Sequence, residues 1–162
     1  MTSRNYTGNT DGNHPAERPG TKRFVEFMEY LFDLKSLGIY ANRNMRGSGN
    51  LSVHASWRAV DLTGKGTAKQ NADSRKAAVE FLFAHRDLLG VEEIHAYDGV
   101  GCPIPNLTEY GAGYRCDRDA WKAWTPQKNG GTPMATWFHV ELAPNMADSQ
   151  TAIEKAFAQI FA

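Results

Sequence analysis

The chain has 162 residues, enough for one domain with a real core. An apolar share of 41%, with 11% aromatic residues, excludes a disordered chain. Eighteen basic residues balance eighteen acidic ones, so the basic excess of a nucleic-acid-binding protein is missing and no such partner is expected.

Residues 1–20 are polar, rich in Asn, Thr, Gly and Pro, and read as a flexible lead-in ending at Pro19-Gly20. They lack the apolar segment of a secretory signal. Phe24, Phe27, Met28 and Leu31 then recur at helical spacing, which predicts a helix from about Lys22 to Asp33 with Thr21 as N-cap. Leu37 to Ala41 reads as a strand and Asn42 to Asn50 as a loop. Arg58 to Leu62 alternates like a strand. Asp73 and Ser74 are candidate caps for a second helix with Ala77, Ala78, Phe81, Leu82 and Leu89 on its apolar face.

Glu93 to Tyr97 reads as a strand. Gly99 to Gly131 reads as a long aromatic loop, with a short helix expected at Asp117 to Trp124. Trp137 to Leu142 is a strand, and Ser149 to Phe161 a helix turning Ala152, Ile153, Ala156, Phe157 and Ile160 inward. No apolar run reaches the roughly 20 residues of a membrane-spanning helix. The two cysteines, Cys102 and Cys116, cannot build a disulfide scaffold or a four-thiolate zinc site; they either form one bridge or, the preferred reading, are free thiols. The pattern is α+β: a small antiparallel sheet with flanking helices in one domain, residues 21–162.

Two segments carry chemistry. Ser52-Val-His54-Ala-Ser-Trp-Arg58-Ala-Val-Asp61 sets a histidine and a carboxylate seven positions apart. Trp137-Phe-His139-Val-Glu141 puts a histidine in a strand, with Trp137, His139 and Glu141 on one face. Two imidazoles and one carboxylate, from His54, Asp61 and His139, suit Zn²⁺ and leave its fourth position open, the arrangement of catalytic sites.

These segments resemble the zinc peptidases of the D-Ala-D-Ala carboxypeptidase or LAS group. That group carries Ser-x-His-x(6)-Asp and, much later, a histidine in a strand. Ser52, His54, Asp61 and His139 match in type and order. Lys35-Ser-Leu-Gly-Ile-Tyr40, Tyr114-Arg-Cys-Asp-Arg-Asp-Ala-Trp121 and His139-Val-Glu-Leu resemble a subgroup found in phages and actinobacteria. The resemblance implies a LAS/hedgehog-type fold around one zinc ion and hydrolysis of peptidoglycan stem peptides. A phage lysin or cell-wall enzyme of this kind would be a monomer, held in the host cytoplasm before lysis or carried in a phage particle, and acting at the wall.

Two departures stand out. The group usually has glycine where Trp57 stands. Its general base is usually an acid three residues before the last ligand, where this chain has Thr136; a subset uses histidine at the position of Trp137. A hydroxyl cannot take a proton from water near neutral pH. Glu141, Asp117 and Asp119 are therefore the candidate substitutes, while Ser52, Arg46 and Trp137 are candidate substrate contacts. The missing acid also keeps open a catalytically impaired binding module, or a phage structural module, that retains the metal.

Overall fold

The structure, a computed structural model, describes residues 3–126, 128 and 130–162. Met1 and Thr2 of the expected lead-in, and Gln127 and Asn129 of the expected long loop, lie outside the described residues. The elements in chain order are α1 (Pro19–Phe32), β1 (Leu34–Gly38), β2 (Ala59–Gly64), α2 (Ala68–Ala84), β3 (Val91–Ala96), β4 (Ala112–Arg115), β5 (Ala120–Ala123), β6 (Trp137–Leu142), α3 (Pro144–Ala147) and α4 (Gln150–Ile160). The strands form one open antiparallel sheet in the order β1-β2-β6-β3-β4-β5. This is the expected α+β class.

Alternation along the strands separates two faces. Val60, Val140, Ile94, Tyr114 and Trp121 stand in register across five strands. With Leu62 and Phe138 they pack against the buried faces of the helices, among them Phe24 and Met28 of α1, Leu82 of α2 and Ile153 and Phe157 of α4. Fully burying one such side chain contributes about 1.5–3 kcal/mol. The opposite face is polar, and its central row is Asp61, His139, His95, Gly113 and Lys122.

Several boundaries differ from expectation. α1 begins at Pro19, whose fixed φ and missing N–H suit a first turn; Thr21 is buried inside it and caps nothing. Asp33 takes the left-handed conformation (φ 51°, ψ 47°) that ends α1, so β1 starts at Leu34 and not at Leu37. Thr67 caps α2, in a reciprocal pair with Gln70; Asp73 and Ser74 lie within the helix. The helix expected at Asp117 to Trp124 is instead the hairpin β4–β5. Tyr114 pairs with Trp121 across it, and Asp119 at φ 43° closes the turn.

The expected flexible lead-in is tied down over its described part. The Arg4 N–H donates to the Cys116 carbonyl at 3.1 Å, and the Thr7 hydroxyl to Glu92 at 2.8 Å. The Asn9 amide donates to the Ser52 carbonyl at 2.8 Å, and Asp11 meets Arg58 at 3.0 Å and Arg18 at 2.8 Å. Arg58 is fully buried and also donates to the Thr7 hydroxyl and the carbonyls of Gly8 and Leu142. Both cysteines are free, as expected. No helix among the described residues is long and apolar enough to cross a membrane.

Candidate metal centre

His139 and Asp61 are cross-strand neighbours on β6 and β2. His54 comes from a 3-10 turn, Val53–Ser56, that directly precedes β2. The Ser52 hydroxyl caps this turn by accepting from the His54 N–H at 3.3 Å, and Trp57 ends it in the left-handed conformation (φ 58°). That is a position where glycine is at ease. Trp57 is held there by stacking on Tyr40, with ring centroids 6.1 Å apart, and by donating from Nε1 to the Pro15 carbonyl at 2.8 Å.

The three side chains converge. His54 Nε2 lies 3.1 Å from His139 Nδ1 and 3.4 Å from Asp61 Oδ1, and His139 Nδ1 lies 3.0 Å from the same oxygen. Metal–ligand bonds of about 2.0–2.1 Å at tetrahedral angles put neighbouring ligand atoms roughly 3.3 Å apart, so this triangle has the right size.

The tautomers agree. His54 Nδ1 is 2.7 Å from the Ile39 carbonyl, an acceptor only, so Nδ1 donates and Nε2 faces the centre with its lone pair. His139 Nε2 is 2.9 Å from Glu141 Oε1, so the same reasoning aims its Nδ1 inward. Three acceptors facing one point need a cation or a proton between them. The group can hold a metal ion. His54 and His139 are buried, while the Asp61 side chain keeps 24% exposure, which leaves one side of the centre open to solvent.

The charges fit this account. Burial alone would raise the Asp61 carboxyl, but hydrogen bonds from His139 and His54 hold it far below the usual carboxylate range. Burial alone would lower the His139 imidazole, but Asp61 and Glu141 raise it to about 10.

Behind His139 a polar relay continues. The Tyr6 hydroxyl lies 2.9 Å from Glu141 Oε2 and 3.0 Å from Glu93 Oε2, and Glu93 Oε1 lies 2.5 Å from His95 Nε2. Burial, then the charges of Glu141 and Glu93, push the Tyr6 phenol upward, so it stays a donor. The His95 ring stands 5.1 Å from that of His139 and 4.5 Å from Trp124.

Of the other expected site residues, Glu141 is adjacent to the centre, with its carboxylate on His139 and Tyr6. Arg46 and Trp137 both lie against Gly131. Arg46 Nη1 donates to the Gly131 carbonyl at 2.7 Å, and a Cβ on Gly131 would lie 3.3 Å from the Trp137 ring. Asp117 and Asp119 are engaged elsewhere. Asp117 takes both Arg115 donors at 2.8 and 2.9 Å, and Asp119 holds Arg86 and the Tyr114 hydroxyl on the helix side. Thr136 is exposed, and its carbonyl accepts from the Thr63 hydroxyl at 2.7 Å.

Sequence reasoning passed over Glu93, His95 and Tyr6. For the first two a signal existed: Glu93 and His95 in β3, with Tyr97 just past it, alternate as Trp137, His139 and Glu141 do through β6. Tyr6, in an aperiodic polar stretch, gave none. Comparison with known families, with curated proteins and with solved structures returns no match.

Proposed function

We propose that the chain is a zinc-dependent peptidase of the LAS kind, hydrolysing peptidoglycan stem peptides at the cell wall. The observation that carries this reading is the triangle of His54 Nε2, Asp61 Oδ1 and His139 Nδ1, with edges of 3.0–3.4 Å. Two imidazoles and one carboxylate are a catalytic zinc set, and the exposed side of Asp61 leaves room for a further ligand. Zinc bound there would supply Lewis acidity towards a carbonyl oxygen and acidify water. The Ile39 carbonyl and Glu141 keep the two imidazoles in the tautomers that bind it. Trp137, two residues from His139 on the same strand face, and Arg46, linked to it through Gly131, are the side chains against which a peptide would lie. Stem peptides released from purified peptidoglycan by the zinc-loaded chain, and not by His139→Ala, are the expected result. Equal release by both would sink the reading.

A second reading is a binding or phage structural module that keeps the metal without hydrolysis. Thr136 favours it, because a hydroxyl cannot serve as base and the Glu141 carboxylate is already engaged by His139 and Tyr6. Thr136→Asp or Thr136→Glu decides between the two. If only the base is missing, either change raises hydrolysis by about 10²–10⁴-fold with zinc content unchanged. If neither does so while fold and zinc are retained, the binding module is the better account.

A further inference from the structure

The polar face that carries His139 continues across the sheet, through His95 and Gly113, to Lys122 at the β5 edge. A Cβ at position 113 would displace the indole of Trp124, which covers that site beside His95. Beyond the indole is a cavity of about 280 Å³, bordered by Glu93, Arg115, Arg118, Lys122, Trp124 and Lys128.

The charges around this cavity do not cancel. Arg115 is spanned by Asp117, and Glu93 is held against His95 and Tyr6. Arg118 instead donates to the backbone carbonyls of Ala120 at 3.1 Å and Gly113 at 2.8 Å. Those bonds fix the guanidinium, and Asp117, the carboxylate whose charge it meets, is already spanned by Arg115. Lys122 and Lys128 are exposed, and no carboxylate among the described residues pairs with either of them or with Arg118. The result is an aromatic wall next to an excess of cations, on the face that bears the metal centre.

We infer that this pocket is a subsite for a carboxylate of the substrate. The inference rests on the peptidase reading for its substrate and on the charge pattern for its ligand. Strands lie about 4.8 Å apart, so three intervals separate β6 from β5 by roughly 14 Å. An extended peptide rises about 3.3 Å per residue, so the acidic group stands about four residues from the bond at the metal centre. The substrate is thus an acidic peptide. Binding through exposed cations is modest and falls with added salt.

The test uses two blocked alanine peptides, one carrying a single glutamate and the other glutamine at the same position. Each is titrated into the full chain, and the Trp124 indole resonance is followed by NMR, assigned with Trp124→Phe. The glutamate peptide is expected to shift that resonance and to bind roughly two- to fivefold more tightly than its counterpart. Lys122→Glu, an exposed change that spares the core, should abolish or reverse the preference, as should Arg118→Gln where it folds. Equal binding of the two peptides, binding of neither, or a preference that survives Lys122→Glu overturns the subsite. Glutamate preference in a chain that hydrolyses nothing supports the subsite and overturns only the peptidase reading. Hydrolysis without the preference overturns only the subsite.

Discussion

His139 lies between two carboxylates that have different tasks. Asp61 shares the centre with His139 Nδ1, and Glu141 holds Nε2 from behind at 2.9 Å. A buried imidazole without that rear acceptor could turn, or could put its proton on the wrong nitrogen. Such supporting residues are typically worth 10–100-fold in metal affinity. Glu141→Ala should therefore weaken zinc binding by about that factor, while saturating zinc still fills one site per chain. Competition with a chromophoric chelator measures the first quantity and elemental analysis the second. Asp61→Ala removes a ligand and should weaken binding further. If Glu141→Ala binds zinc as tightly as the parent chain, Glu141 does not orient His139 and is free to act elsewhere.

At the scale of elements, several of the contacts that anchor the N-terminal segment converge on one side chain. Arg58, just before β2, reaches Asp11, Thr7, Gly8 and Leu142 while fully buried, with Glu92 at 3.5 Å. Removing one member of a buried charged group strands the others, typically at about 3–5 kcal/mol. Arg58→Met should lower the unfolding free energy by that order in denaturant titration, and should expose residues 3–18 to rapid proteolysis. A loss under about 1 kcal/mol would mean that the segment is anchored by its other contacts.

The same segment marks the limit of what the sequence discloses. β6 and α4 are legible because one apolar face repeats at a single period. The hairpin β4–β5 is hidden because its turn, Cys116-Asp-Arg-Asp119, has the acids of a helix start, and only the pairing of Tyr114 with Trp121 reveals the strands. Residues 3–18 join the domain through Tyr6, Thr7, Asn9 and Asp11, whose polar bonds follow no period. The convergence of His54, Asp61 and His139 was legible because the sequence singled out these three residues together. Of its supports, Glu141 stood out on the strand face of His139, whereas the Ile39 carbonyl and Tyr6 become neighbours only in the folded chain.

Across the whole molecule, folding brings together three side chains that can hold a metal ion, so stability, metal and pH are linked. Without metal, the raised His139 imidazole stabilises the fold fully below its unfolded value near 6.5, and that contribution is lost as pH rises towards about 10. The depressed Asp61 carboxyl acts in the other direction: its contribution is present above about 3.9 and is lost as pH falls through the lower folded value. The metal-free chain should thus lose stability as pH rises from about 6.5 to about 10. Zinc reverses this trend, because it takes the place of the His139 proton and binds more tightly as that proton becomes easier to remove. A ligand at about 100 times its Kd adds roughly 2.7 kcal/mol to stability. At fixed free zinc, the gap in Tm between zinc-loaded and chelated protein should therefore widen from the lower to the upper end of this window. Within it, calorimetry in buffers of different ionisation enthalpy should record up to about one proton released per zinc bound. His139→Ala should remove both effects. A gap that stays constant with pH, together with zinc uptake that releases no proton, would mean that His139 is not protonated in the metal-free chain or is not a ligand, and the zinc content of His139→Ala distinguishes the two.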